Sequence, residues 1–560
     1  MKILAVIPAR GGSKGVPRKN IRLLNGNPLL YYVIKTALNS IYITDVVVST
    51  EDENIATIAK ILGTEVVIRP KELAHDHVPL DPVVYYTLTK FEELRGEKFD
   101  IVVTIQPTSP LLSSNTLDKA VNFMMKNPEY DTVIAVKEAT HLYWMETEKG
   151  VKPLFKERKN RQYLPKVYVE TGAFLISRRN IVTSHSRIGQ KVHLFKLSEE
   201  EAVDIDSYKD WWIAENYLNQ KKILFRVIGG KDIGLGHIYR AITLADRLSL
   251  QHKVYFAIEK NRNWGIEKIK ERLYPVYQFA DLEEFEEIIN KVSPNILIND
   301  ILDTDEPYMK WLRKKVEFIV NFEDLGEGAN YADIVINALY ENSYPPQNHF
   351  YGYRYVCLRD EFLLFPPKRI CPEVREILIT FGGTDPNDLT LKFLGSLKLL
   401  DKVIREGNIR IRIVLGLGYK NEKKVYKMAK ELASMGYRID VKKNVQMMAK
   451  EIFDADIVVT SNGRTIYEAA SLGVPIISIS QNERELKHLF TYISGGVLHL
   501  GIACNVTIEK IAASLEKLIM DFELRKKMSN NLKKFDLKKG IERVINLIFT
   551  EFERKIGGKI

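Results

Sequence analysis

Apolar runs and amphipathic segments alternate along the first part of the chain. Residues 2–7, 45–50 and 101–105 are apolar runs of strand length, and residues 21–40 and 55–62 carry apolar side chains at helical spacing. Alternating strands and helices predict an α/β domain with a parallel sheet and helices on both faces. Ligands bind such sheets at the carboxyl ends of the strands, so the loops after residues 7 and 105 are the candidate binding loops.

The same pattern begins again after residue 220. Residues 223–228 form another apolar run, residues 229–237 are rich in glycine, and residues 239–250 have helical spacing. Residues 219–222 are short and polar, as is typical of a linker. We therefore predict domains at 1–219, 222–366 and 367–560, and charged amphipathic helices over residues 508–552.

Composition and charge restrict the class of protein. The chain has 560 residues, of which 45% are hydrophobic and 28% charged, and a formal net charge of +10, as expected of a soluble protein with several domains. The basic residues are dispersed, which favours nucleotide substrates over nucleic acid as the partner. Three widely spaced cysteines form no metal-binding pattern, and an apolar strand begins directly after Met1, which leaves no room for a signal peptide. No apolar stretch is long enough to span a membrane, so we expect a cytoplasmic protein without a membrane partner.

Residues 8–20 follow the first apolar run and form a basic, glycine-rich loop with the sequence P-A-R-G-G-S-K-G-V-P-R-K-N. Glycine lets the backbone turn sharply and approach a ligand closely. Free backbone N–H groups beside Arg10, Lys14, Arg18 and Lys19 suit an anion of high charge density. The spacing matches neither the dinucleotide-binding nor the Walker loop. It predicts a phosphate-binding loop of another type, with a basic turn that binds no ligand as the alternative.

The loop sequence resembles the signature of CMP-sialic acid synthetases and related cytidylyltransferases of nonulosonic acids. Residues 69–76, 106–110 and 203–206 also resemble stretches of that family. The family usually has an arginine shortly after the second stretch, where this chain has Leu112, so one expected anion contact is missing. The resemblance implies a Rossmann-like nucleotidyltransferase domain, of the nucleotide-diphospho-sugar transferase type, that transfers CMP from CTP to a nonulosonic acid. It also implies a homodimer through this domain.

The same resemblance implies roles for individual residues. Arg10 and Lys19 would be catalytic, because their charge offsets that of the phosphates. The residues expected to bind the nucleotide are Ala9, Arg10, Gly11, Ser13, Lys19, Asn20, Arg69 and Asp76. The residues expected to bind the sugar are Gln106, Thr108, Ser109, Thr171 and Gly172. The stretch that carries the last two is equally well explained as a plain core strand.

Asp204 and Asp206 are the candidate metal ligands, and we count them among the catalytic residues. Two carboxylates at positions i and i+2 of an extended segment point the same way, so both can reach one Mg²⁺ ion. The resemblance places the metal-holding D-I-D element of the family here, and Mg²⁺ is the cofactor we expect. The alternative is a solvated acidic turn, because three glutamates at 199–201 come just before.

Scattered motifs run through residues 223–490. The matching positions are 225–226, 233–234, 236–237, 240, 381–386, 462–468, 473–475 and 480–483. They resemble the nucleotide-sugar hydrolases of pseudaminic acid synthesis, relatives of the MurG-like GT-B glycosyltransferases. This implies a two-lobed GT-B-like domain, in which two Rossmann-like halves enclose a cleft. Two positions depart from the family: Ile228 replaces an acidic residue and Leu302 replaces a tyrosine.

His237 is the candidate general base of this second part, because histidine is the side chain best suited to accept a proton near neutral pH. A structural or surface histidine is the alternative. Residues 461–465 precede an apolar helix, so their N–H groups would hold the diphosphate of UDP. The residues expected to bind this nucleotide are Asn462, Gly463, Thr465 and Glu468, and Asn482 is expected to contact the sugar.

We therefore interpret the chain as a bifunctional enzyme. The first domain would use CTP, Mg²⁺ and a nonulosonic acid, and the second part would hydrolyse a UDP-linked diacetamido-trideoxy hexose. In one alternative the second part binds a UDP-sugar without hydrolysing it, and so regulates or scaffolds. In the other it is a glycosyltransferase that uses an acceptor in place of water.

Overall fold

The computed structural model describes residues 1–230, 234–443 and 445–557, and the chain divides into the compact unit Met1–Gln220 and a second unit that begins at Lys221. Residues 231–233, part of the predicted glycine-rich loop 229–237, lie outside the described residues. The predicted α/β class is confirmed, because both units are built on largely parallel sheets covered by helices. Within the described ranges, no helix is both long enough and apolar enough to cross a membrane.

The first unit contains one seven-stranded sheet and two small hairpins. Its strands are β1 (Ile3–Pro8), β2 (Leu23–Leu24), β3 (Asn27–Pro28), β4 (Asp45–Thr50), β5 (Glu65–Ile68), β6 (Ile101–Thr104), β7 (Thr132–Glu138), β8 (Trp144–Thr147), β9 (Gly150–Pro153), β10 (Tyr168–Arg178) and β11 (Val192–Lys196). Its helices are α1 (Leu29–Leu38), α2 (Glu53–Ile61), α3 (Leu80–Arg95), α4 (Ser114–Lys126) and α5 (Tyr208–Asn219). Single-turn 3₁₀ helices lie at Lys19–Ile21, Lys71–Ala74, Arg161–Tyr163 and Arg179–Ile181.

Strand β1 lies near the middle of the sheet, whose order is β11-β7-β10-β6-β1-β4-β5. It pairs in parallel with β4 and β6, and all of its residues are buried. A strand buried on both faces needs an unbroken apolar sequence, which explains why its pattern does not alternate. β10 runs antiparallel to β6 and β7, so the sheet is mixed and the expectation of a parallel sheet is wrong at this strand. The loops that follow β1 and β6 leave the sheet at the same edge, as predicted.

The helix predicted over residues 21–40 begins only at Leu29. The short hairpin β2–β3 comes first and turns at Asn25 and Gly26, whose φ angles are 46° and 83°. Asparagine followed by glycine is a strong hairpin signal, because both residues tolerate the left-handed region that the turn requires. Helical spacing therefore predicted the helix, and this pair marks the hairpin that the spacing missed.

The second unit contains two parallel sheets, and we call the halves built on them the first lobe and the second lobe. The first lobe comprises β12 (Lys222–Gly229), α6 (Gly236–Leu248), β13 (Lys253–Asn263), α7 (Ile266–Lys270), β14 (Val276–Phe279), α8 (Leu282–Val292), β15 (Ile296–Asp300), α9 (Glu306–Arg313), β16 (Phe318–Phe322), β17 (Ile334–Asn337), β18 (His349–Tyr351) and α10 (Asp360–Leu364). It also has 3₁₀ turns at Glu327–Tyr331 and Tyr353–Tyr355. Its seven strands have the order β14-β13-β12-β15-β16-β17-β18.

The second lobe has six strands in the order β21-β20-β19-β22-β23-β24. Its elements are β19 (Glu376–Thr380), α11 (Leu389–Ser396), α12 (Asp401–Glu406), β20 (Arg410–Leu415), α13 (Glu422–Ser434), β21 (Arg438–Lys443), α14 (Met448–Asp454), β22 (Ile457–Ser461), α15 (Arg464–Ser471), β23 (Ile476–Ser480), α16 (Glu483–Leu486), α17 (Phe490–Ile493), β24 (Val497–Ile502), α18 (Ile508–Met520) and α19 (Phe522–Leu532), with 3₁₀ turns at Leu397–Leu400 and Ala503–Asn505. The two lobes together form the predicted pair of Rossmann-like halves.

The last helix, α20 (Gly540–Gly557), packs on the first lobe. Ile541, Val544, Ile548 and Phe552 form its apolar stripe and join the core around β12. The predicted division assigned all residues after 366 to the second half, and the structure differs from it here. Helical spacing predicts the helix itself but carries no information on which sheet the stripe will cover.

Candidate active sites

The basic loop of the first unit is anchored at both ends. Ala9 N–H donates to the Ser49 carbonyl at 2.9 Å, and the Asn20 side chain donates to the Arg10 carbonyl at 2.9 Å. Gly11 is required for space, because a Cβ there would lie 2.6 Å from Asp52 Oδ2. The Gly11 N–H donates to Glu51 Oε1 at 2.7 Å. Backbone and side-chain contacts therefore hold the loop in one conformation at the end of β1.

Acidic side chains pair with the cations of this loop. Arg10 and Lys14 contact the two carboxylate oxygens of Asp76 at 2.7 and 2.6 Å, and the Lys14 hydrogen bond, with the charge of Arg10, lowers the pKa of Asp76. Lys19 donates to the Ile205 carbonyl at 2.5 Å and lies 3.1 Å from Asp206 Oδ1. The structure thus brings the predicted nucleotide residues to the loop and joins the loop to the 204–206 segment.

Arg69 is buried and supports the loop, and it is not exposed on the loop's surface. It is 5% exposed, donates to Glu51 Oε2 at 2.8 Å, and reaches the Ser49 carbonyl at 3.3 Å. Burial lowers the pKa of Arg69, and the Glu51 carboxylate opposes that effect. Because Glu51 also holds the Gly11 N–H, Arg69 supports the loop through this glutamate.

The residues predicted to bind sugar converge around Gly172. A Cβ on Gly172 would lie 3.1 Å from Thr108 Oγ1, 3.2 Å from Gln106 Cδ and 3.3 Å from Asp204 Oδ1. Ile205 N–H donates to the Thr108 carbonyl at 2.8 Å, which ties the aspartate segment to the loop after β6. Thr171 instead donates to the Ala135 carbonyl at 3.3 Å, so its hydroxyl is bonded to the neighbouring strand β7. A larger residue at position 172 would therefore crowd the side chains of this cluster.

The same cluster offers oxygen atoms that suit a hard cation. Asp204 Oδ1 and Thr108 Oγ1 of this cluster, and Ser109 Oγ in the adjoining loop, are buried and have no hydrogen-bond partner in the described part of the chain. Burial raises the pKa of Asp204, and the charge of Asp206 adds to this; the Thr108 hydroxyl opposes it without reaching hydrogen-bond geometry to Oδ1. Carboxylate and hydroxyl oxygens of this kind are what Mg²⁺ binds. Among the described residues, no group of three or more His, Cys, Asp or Glu side chains comes together, so the acidic ligands here number two at most.

Leu112, which replaces the arginine usual in the family, is 2% exposed and belongs to the core of the first unit. No anion contact arises from this position. The loop cations Arg10, Lys14 and Lys19 therefore supply the positive charge near the carboxyl end of β1.

In the second unit the two lobes enclose a cleft of about 460 Å³. The two lobes approach each other here, since a Cβ on Gly383 would come into van der Waals contact with the Gly234 Cα, at 3.6 Å. Of the residues predicted here, His237, Gly463, Thr465, Glu468 and Asn482 line the cleft. The sequence motifs of this unit therefore meet in one place.

His237 is held by a buried ionic network. Its Nδ1 lies 2.6 Å from Asp300 Oδ1, and Arg240 donates to both oxygens of Asp300, from Nε at 2.7 Å and from Nη2 at 2.5 Å. Asp300 is 1% exposed. Burial alone would raise the pKa of Asp300, but the charge of Arg240 and the hydrogen bonds from Arg240 and His237 outweigh it and hold that pKa well below its usual range. An ionised Asp300 accepts the proton on Nδ1, which leaves Nε2 as the proton-accepting nitrogen of the neutral ring.

The second lobe contributes the start of α15 and the loop after β23. Gly463 is the residue before α15, and Glu468 pairs with Arg359 of the first lobe at 3.0 Å. Asn482 accepts the Glu485 N–H at 2.9 Å. Asn462 differs from its predicted role: it is 1% exposed, and its side chain bonds the Glu485 and His488 carbonyls and Thr491 instead of lining the cleft.

The two departures from the family lie in different surroundings. Ile228 is buried on β12, whereas Leu302 lines the cleft with a left-handed φ of 71°. Sequence reasoning also missed four charged cleft residues: Glu323, Arg359, Arg484 and Glu485. Burial raises the pKa of Glu485 to about 7. No motif of the sequence analysis includes these residues, and they come from three separate parts of the chain, after β16, β18 and β23.

Comparison with known proteins identifies the first unit. Residues 4–203 match the family model described as cytidylyltransferase. Post-translational flagellin modification protein B of Campylobacter coli is 33% identical over 228 residues, which cover 40% of this chain and 97% of that protein. The chain belongs to the cytidylyltransferase family. The resemblance expected from the motifs of the first unit is thereby confirmed.

Two longer relatives match in part. N-acylneuraminate cytidylyltransferase A of Danio rerio is 31% identical over 294 residues, covering 49% of this chain and 66% of that protein. An uncharacterized protein of Methanocaldococcus jannaschii is 31% identical over 279 residues, covering 47% of this chain and 56% of its own length. The chain therefore spans less than two thirds of these relatives. The solved structure of MurG from Acinetobacter baumannii covers 59% of this chain and 99% of that protein at 16% identity, with a TM-score of 0.44, and a likeness of that size identifies no activity.

Proposed function

We propose that residues 1–220 transfer CMP from CTP to a sialic-acid-like nonulosonic acid and release pyrophosphate. The observation that carries the proposal is the convergence of the basic loop, the loop after β6 and the 204–206 segment at one edge of the sheet. Two anionic reactants must meet there, so cations have to offset their repulsion. The relatives named as cytidylyltransferases support the same chemistry.

Within this proposal, the loop binds the triphosphate of CTP. Arg10, Lys14 and Lys19 exchange their present carboxylate partners for phosphate oxygens, while Ser13 and the glycine N–H groups add hydrogen bonds. Gln106 and Thr108, at the carboxyl end of β6, face the sugar acid whose hydroxyl attacks the α-phosphorus. Asp76 and Asp206 orient the cations before the nucleotide arrives.

The oxygen cluster fits a magnesium ion. Asp204 would hold it, with Thr108, Ser109 and Asp206 as the other candidate oxygens. When bound, such an ion offsets the charge on phosphoryl oxygens and orients the reactants. Lys19, which already bonds the Ile205 carbonyl, keeps the segment in place beside the phosphate loop.

The test is a turnover assay on the purified chain. CTP, Mg²⁺ and a panel of nonulosonic acids are supplied, and pyrophosphate release is measured for each acid. We expect release with at least one acid and none when the acid is omitted. Failure with every acid would contradict the substrate class, and failure to bind CTP would contradict the nucleotide site.

For the second unit we propose hydrolysis of a UDP-linked amino sugar, such as a diacetamido-trideoxy hexose. The observation that favours it is the pairing of His237 with an ionised, buried Asp300. Nε2 of the oriented imidazole accepts a proton from water as the water attacks the sugar carbon, and UDP leaves. The start of α15 faces the diphosphate, because helix N-termini favour anions.

A binding-only unit and a glycosyltransferase remain the competing proposals for this cleft. Supplying UDP-sugars to the full chain and measuring free UDP, with and without sugar acceptors, separates the three. UDP release in water supports hydrolysis, release only with an acceptor supports transfer, and binding without release supports the regulatory alternative.

We also propose that the protein is a homodimer through its first unit. The hairpin β8–β9 and its flanks expose large apolar side chains: Tyr143, Trp144, Met145, Val151, Leu154 and Tyr163. Clustered exposed apolar residues are typical of protein contact surfaces. Light scattering on the purified chain measures the mass directly, and a monomer at micromolar concentration would contradict this proposal.

A further inference from the structure

Glu323 lines the cleft and has no part in the hydrolysis described above. It follows β16, is 3% exposed, and has a left-handed φ of 52°. That backbone conformation is unfavourable for residues other than glycine and persists only where the surroundings hold it. Arg484 of the second lobe donates to the Glu323 carbonyl at 2.7 Å. The residue is therefore fixed from the opposite lobe at the cost of a strained backbone.

Arg240 holds Glu323 and Asp300 with one guanidinium. Both carboxylate oxygens of Asp300 accept hydrogen bonds from this arginine, one from Nε and one from Nη2. Glu323 accepts a single hydrogen bond, from Nη1 to Oε1 at 2.9 Å. Glu323 Oε2 is buried and makes no hydrogen bond to the residues that the structure describes. Leaving such a buried atom without a partner is unfavourable, because its hydration is lost and nothing replaces it. A polar group of a bound ligand would remove that cost.

The surroundings of Glu323 favour its protonated form. Burial raises the pKa of Glu323 and the nearby Asp300 adds to this, while Arg240, the Leu339 amide and Arg464 act in the opposite direction and are outweighed. The amide does not complete a hydrogen bond to Oε2. The titratable and charged groups around the carboxyl include Arg240, Asp300, Tyr340, Cys357, Arg464, Tyr467 and Arg484. Two carboxyl groups on one arginine thus have pKa values pushed apart, an arrangement typical of groups with different roles.

We propose that Glu323 contacts the sugar of the bound nucleotide sugar and selects a neutral sugar over an acidic one. The proposal rests on the proposed UDP-sugar function of this cleft. A hydroxyl or carbonyl oxygen of a neutral sugar completes the hydrogen bond that Oε2 lacks. A sugar carboxylate would instead place a second ionised carboxylate close to Asp300, beside the carboxyl of Glu323.

The test measures binding of three probes to the full chain by calorimetry: UDP, UDP-N-acetylglucosamine and UDP-glucuronic acid. For the unmodified protein we expect the neutral sugar to bind at least about tenfold more tightly than the acidic one. Glu323→Gln keeps a group that can hydrogen-bond the sugar at the Oε2 position, so it should bind the neutral sugar within about threefold of the unmodified protein. Glu323→Ala should bind that sugar at least about tenfold more weakly while its affinity for UDP stays the same.

Glu327→Gln is the matched control, because this exposed glutamate lies in the same loop and should change no affinity. If Glu323→Ala weakens UDP and the UDP-sugars equally, or if Glu323→Gln is as impaired as Glu323→Ala, the residue is structural and the proposal is wrong. Equal affinity of the unmodified protein for both sugars also overturns it. If UDP itself does not bind, the nucleotide-sugar function fails and the inference fails with it. Thermal midpoints of all variants show whether each one folds.

Discussion

The carboxylates that pair with the loop cations of the first candidate site are exposed, whereas the carboxylate and the arginine that hold His237 in the second are buried. The side chains of Asp76 and Asp206 are 47% and 79% exposed, against 1% for Asp300 and 4% for Arg240. Exposed ion pairs contribute little to stability and exchange partners easily. Burying an ion pair costs desolvation free energy. Removing one of its partners strongly destabilises the fold, because the other charge is left buried and unpaired.

This difference fits two kinds of task. In the first unit, Arg10 and Lys14 can leave Asp76 for a triphosphate, because the exposed ion pairs that they form with it contribute little to the free energy of folding. In the second unit, Arg240 fixes Asp300, which fixes the ring of His237 before any ligand arrives. We infer that the first site binds its anion by exchange, and that the second orients its base in advance.

The largest expected effect concerns the metal cluster of the first site. Asp204→Asn and Asp206→Asn should each lower CMP-sugar formation by about a thousandfold or more, because each weakens the hold on a divalent ion that offsets phosphate charge. Pyrophosphate release at saturating CTP measures the loss. Glu199→Gln is the control, since this exposed carboxylate lies in the same acidic segment. Near-normal activity in both aspartate variants would remove them from the metal site.

The next effect separates the two sites. His237→Ala should lower UDP release from a UDP-sugar by about a hundredfold or more, because the base that deprotonates water is lost. Pyrophosphate release from CTP should not change, since the His237 network lies wholly within the second unit. Both products are measured on the same preparation. A several-fold fall in pyrophosphate release by a folded variant would mean that the two reactions are coupled.

The exchange of partners in the first site can be tested by removing its cations. Arg10→Ala and Lys19→Ala should each slow nucleotidyl transfer by about tenfold or more, because each removes a positive charge from the triphosphate site. Arg18→Ala should have a smaller effect, since Arg18 is exposed and makes no ion pair within the described ranges. Initial rates at varied CTP measure all three. Equal losses would indicate a diffuse basic patch rather than a built site.

The same contrast explains what the sequence predicted. The basic loop was predictable because its residues are contiguous and follow a strand with a clear apolar run. The support of that loop by Arg69 through Glu51 was not, since the two residues lie eighteen positions apart and meet only through the sheet.

In the second unit the base could be found from its glycine-rich setting, but its partners could not. Asp300 and Glu323 end different strands, and only the parallel register of β12, β15 and β16 brings them to Arg240. The same limit applies to α20, whose periodicity shows a helix and not the lobe it covers. Local patterns predict elements, while pairing between distant elements decides the site.

The smallest expected effect tests whether buried charge in the second site couples stability to pH. Burial raises the pKa of Glu485 to about 7, from an ordinary value of 4.5. A carboxyl whose pKa is raised in the folded state lowers the free energy of unfolding as pH rises from 4.5 to about 7. The loss of stability is complete above about pH 7. Glu485→Gln removes the ionisation and keeps an oxygen that can accept the Gln481 N–H, now bonded at 2.7 Å. The variant should therefore gain up to about 3 kcal/mol in the free energy of unfolding at pH 8 relative to its change at pH 5. Denaturant unfolding at the two pH values measures the difference, with the exposed Glu483→Gln as the control. An equal change at both pH values would show that Glu485 titrates normally and that its burial is relieved in solution.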